Sequence, residues 1–457
     1  MKVRFLPLLM NLNTINLLII VNILVLVLEY KDLRKNLNYI TFFSIIILLL
    51  INYSDFVVSY MFNFPLWKTI FIFLVSLMFF IILNLIKDGN FDIYCLLILV
   101  FIGSLILILC DNLITLYLGL ELQTFSIFIL IAKNRLSIKG SEAGLKYFIL
   151  GALSSGFYLL GLTILFLLGS SLNLSDINLI LNENFNNIAI TLITLSFCFK
   201  LSLFPLHFWI PDIYEGSSWD IISLISSLPK ISVISVLIQL LISSNMVLTF
   251  SLVSVIIGTL GSLNQSKLKR LLGYSGISHM GFTILGFSLM SSQGFIISNL
   301  YLFIYSMTMI SIFCLIIYFN FSSKFIIELG FIKFSNLLFP ISLVILILSI
   351  AGIPPLSGFV SKWFLLWSVI EFNYNISSFL LILFSAIGAG YYLRLVKIIY
   401  FQKSSSYLVW TNSLKKRVMV NELNFIIIGF IIFLSLFLIL NFNFIIDLIN
   451  ILSISIF

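Results

Sequence analysis

The chain has 457 residues, 61% of them hydrophobic and 9% charged, with a mean hydropathy of +1.20 and a formal net charge of +8. Soluble domains carry roughly 25% charged residues, so this composition excludes a water-soluble enzyme, a soluble nucleotide-binding domain and a nucleic-acid surface. The apolar runs reach the roughly 20 residues that cross a bilayer as a helix, not the ten-residue alternation of a barrel strand. An all-α, polytopic transmembrane bundle is predicted.

Met1-Lys2-Val3-Arg4 followed by an apolar run has the look of a signal peptide, but no small-x-small site follows and the run continues to Leu28. It reads as the first span. Counting onward gives roughly fourteen spans, near 5–28, 38–54, 66–86, 91–109, 112–132, 143–169, 187–210, 220–242, 246–263, 271–290, 294–319, 336–370, 377–401 and 423–446. Basic residues test the count. Lys31, Arg34 and Lys35, then Lys87, Lys133, Arg135 and Lys139, then Lys267, Lys269 and Arg270, then Lys324 and Lys333, then Lys403, Lys415, Lys416 and Arg417 all fall in alternate loops. The other loops carry Asp55, Asp111, Asp176, Glu183 and Glu371, with Lys68 the main exception. That parity is the positive-inside pattern, and it puts both termini on the outer side. Lys2 and Arg4 run against it.

Two spans are interrupted. In Phe199-Lys200-Leu201-Ser202-Leu203-Phe204-Pro205-Leu206-His207-Phe208-Trp209-Ile210-Pro211-Asp212, Pro205 has no N–H for the Leu201 carbonyl. In Ala351-Gly352-Ile353-Pro354-Pro355-Leu356-Ser357-Gly358, Pro354 and Pro355 orphan the carbonyls of Ile350 and Ala351. Broken backbone at membrane depth survives only inside protein or beside a water-filled cavity. The breaks fall in spans seven and twelve, an odd offset that forces the two units to be inverted. The predicted organisation is residues 1–90 as three leading helices, 91–242 as the first five-helix repeat, 246–402 as its inverted partner, and 403–457 as a loop with the last helix.

A charge at the bilayer centre costs roughly 2.5–3.5 kcal/mol on insertion scales. Glu121, Lys200, Lys230 and Lys362 lie deep in their spans, and Lys146 stands nearer a helix start, within snorkelling reach of the surface. A structural ion pair explains any one of them, but three lysines and one glutamate cannot all pair off. Desolvation weakens a lysine's hold on its proton and a nearby carboxylate strengthens it, so the set suits proton transfer. Glu121 beside Lys200 is the expected modulating pair, Lys230 the next hop and Lys362 the far terminal. His207 and His279 are the only histidines. His207 is expected between Lys200 and Lys230, and His279 at the opening of the second repeat's polar path. Asp212 and Glu215 read as caps of their turn. The cysteines Cys95, Cys110, Cys198 and Cys314 stand singly and read as small buried hydrophobes, and two histidines with scattered acids predict no metal site.

These stretches resemble the antiporter-like subunits of proton-pumping NADH:quinone oxidoreductase, respiratory complex I, and within them the branch called subunit N in bacteria and subunit 2 in mitochondria. The resemblance runs from about residue 112 to 365. It is carried by Glu121-Leu122, by Lys146-Tyr147-Phe148 with Gly151-Ala152-Leu153-Ser154-Ser155-Gly156, and by the two broken stretches. Leu228-Pro229-Lys230 and Lys269-Arg270-Leu271-Leu272-Gly273-Tyr274-Ser275-Gly276-Ile277-Ser278-His279-Met280-Gly281 complete it. Gly273 and Gly276 depart from the family's usual Ala and Ser. The resemblance implies a proton channel through Glu121, Lys146, Lys200, Lys230 and Lys362. It implies a non-redox, proton-translocating subunit of an NADH:ubiquinone reductase, with flavin, iron–sulfur clusters and quinone held by other subunits and no cofactor in this chain. Expected partners are neighbouring antiporter-like and small transmembrane subunits of the membrane arm, and lipid. Composition rich in Phe, Ile, Leu, Asn and Lys leans toward the mitochondrial inner membrane, the bacterial plasma membrane being the alternative. Two other functions stay open: a subunit of a multisubunit cation/proton antiporter, and a structural spacer with fixed charge pairs.

Overall fold

Segments such as Leu-Ile-Leu-Val-Phe-Ile have no side chain able to satisfy a backbone amide, so in an apolar setting they close their hydrogen bonds internally as helices. A computed structural model describes residues 66–86, 91–133, 137–167, 173–174, 184–240, 244–318, 325–334 and 338–401, with a few positions between 429 and 436. The expected spans at 5–28 and 38–54, and nearly all of 423–446, lie outside the described residues. The remainder form α1 (Leu66–Leu85), α2 (Phe91–Leu109), α3 (Leu113–Ile131), α4 (Ile138–Leu167), α5 (Asn184–Leu201) and α6 (Trp209–Gly216). Then come α7 (Trp219–Leu240), α8 (Ser244–Leu263), α9 (Leu268–Ser288), α10 (Ser292–Tyr318), a 3₁₀ segment (Ile326–Phe334), α11 (Leu338–Ala351), α12 (Ser357–Glu371) and α13 (Asn375–Phe401). Eight of these are long and apolar enough to cross a membrane, and α5 and α11 are shorter apolar halves.

The centre of the bundle is α7 and α10, each 89% buried over its spanning window, whereas α4 and α13 are 28% buried and form the rim. α7 packs on α1, α2, α5 and α10, and α10 in turn on α9, α11 and α12. Pro229 sits inside α7 without ending it.

Both interruptions are built alike. α5 ends at Leu201, where Ser202 takes a left-handed φ of 61°, and α11 ends at Ala351, where Gly352 takes φ 77°. Leu203 N then donates back to Cys198 O (2.8 Å) and Ile353 N to Leu348 O (3.3 Å), the same closure at equivalent positions. Thus each helix stops four residues before Pro205 or Pro355, and the turn is made by the left-handed residue. Gly358 seals the second break, since a Cβ there would run into the Ser349 carbonyl.

Loop contacts fix the direction of each half. On one face, Ile326 N donates to Ser266 O (2.9 Å), Arg394 Nη1 to Leu263 O (3.2 Å), and Lys267 Nζ pairs with Glu215 (2.5 Å). On the other, Leu174 N donates to Asp111 O (2.9 Å) and Lys68 pairs with Asp111 (2.7 Å). The helix after the first break therefore ends on the face where the helix before the second one begins, so the two broken spans run oppositely. Lys68, the exception to the charge parity, is 2% exposed and neutralised by Asp111. It adds no free charge to the acidic face.

Candidate functional site

Glu121 and Lys200 line one cavity with Tyr117, Thr124, Ser154 and Ser196. Glu121 is held by its own helix, where Thr124 Oγ1 donates to Oε2 (3.2 Å). Lys200 reaches from the last turn of α5 and donates from Nζ to the Leu120 carbonyl (3.2 Å), with the Phe199 ring 6.0 Å away. The two charges share a polar chamber without a direct ion pair. Trp209 Nε1 donates to Phe199 O (3.0 Å) and satisfies one carbonyl at the end of α5.

Lys230 lies in the middle of α7, 1% exposed. Its Nζ meets the Tyr305 hydroxyl (3.4 Å) and lies 5.2 Å from that ring's centroid. Tyr305 stacks on His279 with centroids 5.1 Å apart. His279 is held at both nitrogens, Nδ1 by the Tyr301 hydroxyl (2.7 Å) and Nε2 by the Tyr392 hydroxyl (3.1 Å). A second cavity joins His279, Tyr301, Tyr305, Ser361 and Lys362. Lys362 Nζ donates to the Ala351 carbonyl (2.8 Å), one of the acceptors that the proline pair frees, and faces the Phe282 ring at 5.8 Å. Among the described residues, Lys200 and Lys230, which are buried, and Lys362, which is half-buried, have no carboxylate at ion-pair distance. Lysine burial of this kind is expensive and calls for a function.

Lys200 and Lys230 are not directly bonded. Their helices are tied by Gln123 Nε2 donating to Ser232 Oγ (3.1 Å), while Gln123 Oε1 is buried with no partner. His207, expected between the two lysines, bonds to neither. Its ring packs on Phe208 (4.1 Å) and faces Phe204, which in turn meets Phe250 of α8, and its Nδ1 is buried without a partner. The cause is the left-handed turn at Ser202, which carries residues 203–208 off the α5 axis.

Lys146 is not in the buried row. It is 41% exposed and pairs with Asp212 Oδ2 (2.7 Å) and Glu142 Oε1 (2.6 Å). Asp212 and Glu215 do more than cap a turn, which corrects the reading from sequence. Asp212 stands in the first turn of α6 but also takes Arg270 Nη2 (3.0 Å), and Glu215 takes Lys139 and Lys267. They tie α4 and α9 to α6 at the basic face. Burial alone would raise the Glu215 carboxyl, but the Lys139 and Lys267 ammonium groups outweigh it and hold the group below its ordinary value.

Tyr301, Tyr305 and Tyr392 were not singled out from sequence. The available signal was Tyr301 and Tyr305 one turn apart on a single face of α10, since a buried phenol needs a partner.

Residues 110–389 match the family described as NADH:quinone oxidoreductase/Mrp antiporter, TM. A relative from Metridium senile, NADH-ubiquinone oxidoreductase chain 2, is 36% identical over 77% of this chain and 94% of its own. NADH-quinone oxidoreductase subunit N of Ruthia magnifica subsp. Calyptogena magnifica is 32% identical over 68% of each chain. Among solved structures, a chain of respiratory complex I from Thermus thermophilus superposes with a TM-score of 0.81 at 22% identity, covering 93% of this chain and 96% of that one. A chain of the Mrp complex from Dietzia sp. DQ12-45-1b does so with 0.80 at 15% identity, covering 98% and 95%. The fold is that of the antiporter-like subunits, and the chain belongs to the NADH:quinone oxidoreductase/Mrp antiporter transmembrane family.

Proposed function

We propose that this chain is a proton-translocating, non-redox subunit in the membrane arm of an NADH:ubiquinone oxidoreductase of the mitochondrial inner membrane, with both termini on the intermembrane-space side. The observation that carries it is the row of cations Lys200, Lys230 and Lys362, the first two buried and the third half-buried, with His279 between the last two and no carboxylate at ion-pair distance from them among the described residues. Burial favours the neutral form of a lysine, and a carboxylate in the same chamber favours the ammonium. Moving or neutralising Glu121 therefore loads or empties Lys200, Lys230 passes the proton along α7, and Lys362 receives it beyond His279. The Ala351 carbonyl holds the Lys362 ammonium ready at the far end. Lys146, in its ion cluster, connects this row to the basic face. The work comes from quinone reduction in other subunits, which hold the flavin, iron–sulfur clusters and quinone. Neighbouring antiporter-like and small transmembrane subunits are the expected contacts of the rim helices.

The relatives at 30% identity or more that carry the NADH-oxidoreductase names favour this reading over a cation/proton antiporter. The likeness to the Mrp complex chain keeps the second one in view. A spacer with fixed pairs would look like Lys68–Asp111 throughout, and Lys200, Lys230 and Lys362, which meet no carboxylate at ion-pair distance among the described residues, argue against it. Purification in mild detergent separates the first two: co-purification with a hydrophilic arm that oxidises NADH supports the proposal. Sodium-driven proton exchange without such an arm refutes it.

A further inference from the structure

Both ring nitrogens of His279 are taken, Nδ1 by the Tyr301 hydroxyl (2.7 Å) and Nε2 by the Tyr392 hydroxyl (3.1 Å). Toward Tyr305 the imidazole turns its face, the two rings lying at 26° with centroids 5.1 Å apart. Protons enter and leave an imidazole at its nitrogens, not through its face. His279 therefore does not take a proton straight from Lys230, and the step from α7 toward Lys362 needs another carrier.

Among the described residues, Lys230 Nζ has one hydrogen-bonding partner, the Tyr305 hydroxyl at 3.4 Å. Tyr305 also lines the cavity that holds Lys362 and Ser361 and abuts the second break at Ser349 and Ile350. It touches both ends of the gap. A hydroxyl accepts and donates at once. Tyr305 Oη accepts from Lys230, and its own O–H meets no protein acceptor among the described residues. Tyr158, equally buried, donates instead to Leu113 O (2.8 Å). A phenol that is 3% exposed needs a partner for its proton, and water in the adjoining polar cavity supplies one. α9 leaves space at this bond. A Cβ on Gly276 would come 3.1 Å from Tyr305 Oη and 3.6 Å from Lys230 Nζ, so the missing side chain lets the hydroxyl turn between the ammonium and the cavity.

We propose that Tyr305 is a proton-relay residue, carrying protons from Lys230 to water in the cavity that Lys362 lines. The inference rests on the proton translocation proposed above. In one passage the Lys230 ammonium gives a proton to Tyr305 Oη while the phenol's own proton leaves for the water, which passes one to the neutral Lys362 amine. One N–H bond breaks at Lys230 and one forms at Lys362. The O–H bonds broken at Tyr305 and at water are each replaced, and nothing is oxidised. Turning of the Tyr305 hydroxyl from Lys230 back toward the cavity resets the relay.

The test uses the assembled complex containing this chain, reconstituted in proteoliposomes, with protons translocated per NADH as the readout. Tyr305→Phe keeps the ring on His279 and removes the hydroxyl. It should assemble and oxidise NADH, and its proton ratio should fall to that of Lys230→Ala. Gly276→Ser added to Tyr305→Phe sets a hydroxyl beside Lys230, in the space that the phenol oxygen leaves, and should restore the ratio. A Tyr305 needed only for packing would not be replaced by a hydroxyl on another helix. A wild-type ratio in Tyr305→Phe, with Lys230→Ala impaired, overturns the relay and leaves the translocation reading standing. A loss in Tyr305→Phe that Gly276→Ser does not relieve does the same. Wild-type ratios in both Tyr305→Phe and Lys230→Ala overturn the two together. Should Tyr305→Phe fail to assemble, Gly276→Ala decides: it crowds the hydroxyl away from a bond already at 3.4 Å and should lower the ratio, and a wild-type ratio there overturns the relay.

Discussion

Lys362 Nζ donates to the Ala351 carbonyl at 2.8 Å, taking the place of the backbone N–H that Pro355 lacks. One side chain thereby caps a broken helix and carries a half-buried charge. Lys362→Met should remove both, lowering the stability of the assembled protein and its proton translocation together. Lys362→Arg keeps the donor and the charge but does not release its proton, so it should restore stability without restoring translocation. Thermal unfolding and proton translocation of the two variants check this. Equal translocation by Lys362→Arg and wild type would contradict the role.

The pair Lys68–Asp111 is lopsided, with the lysine 2% and the aspartate 24% exposed. Asp111→Asn strands a buried cation and should cost about 3 kcal/mol, whereas Lys68→Met leaves a carboxylate that water can reach and should cost about 1 kcal/mol. Chemical unfolding of both variants in detergent tests the order. Equal losses would mean that the lysine is better hydrated than its burial implies.

Glu215 is bonded to Lys139 and Lys267 at the basic face. Its folded carboxyl lies below the ordinary value, so its contribution is complete above the unfolded carboxyl range, near about 4.3. It is lost as pH falls through the lower folded value. Glu215→Gln should lower stability by about 1 kcal/mol at pH 7 and flatten the loss on acidification. Unfolding midpoints between pH 7 and pH 3.5 check it, and superimposable profiles for variant and wild type would reject it.

A methyl group at Gly358 would collide with the Ser349 carbonyl, backbone against backbone, with no flexible atom to give way. Gly358→Ala should therefore block the second break from closing and abolish assembly. Gly390 has nothing within 4 Å of an added Cβ. Gly390→Ala should assemble normally, with helix propensity favouring it by roughly 1 kcal/mol. Blue-native electrophoresis of the two variants distinguishes them.

Much of the architecture was legible from residue types. Long apolar runs gave the described spans to within a few residues, and Lys68, the exception to the charge parity, is accounted for by Asp111 beside it. Proline marked both breaks because its missing N–H is a local property. The rest depended on distant parts of the chain. Asp212 finds Lys146 and Arg270 on other helices, which no local pattern announces. The turn before His207 was not legible because a serine at positive φ is uncommon. The tyrosines around His279 were passed over because phenols in apolar helices resemble ordinary packing, and only the fold brings α9, α10 and α13 together around one imidazole.

Lys230, the buried lysine at the centre of the bundle, offers the most direct trial. Lys230→Ala in the reconstituted complex should assemble and oxidise NADH yet translocate fewer protons per NADH than wild type. An unchanged ratio, with the complex intact, would mean that protons do not cross the membrane through this chain's buried row.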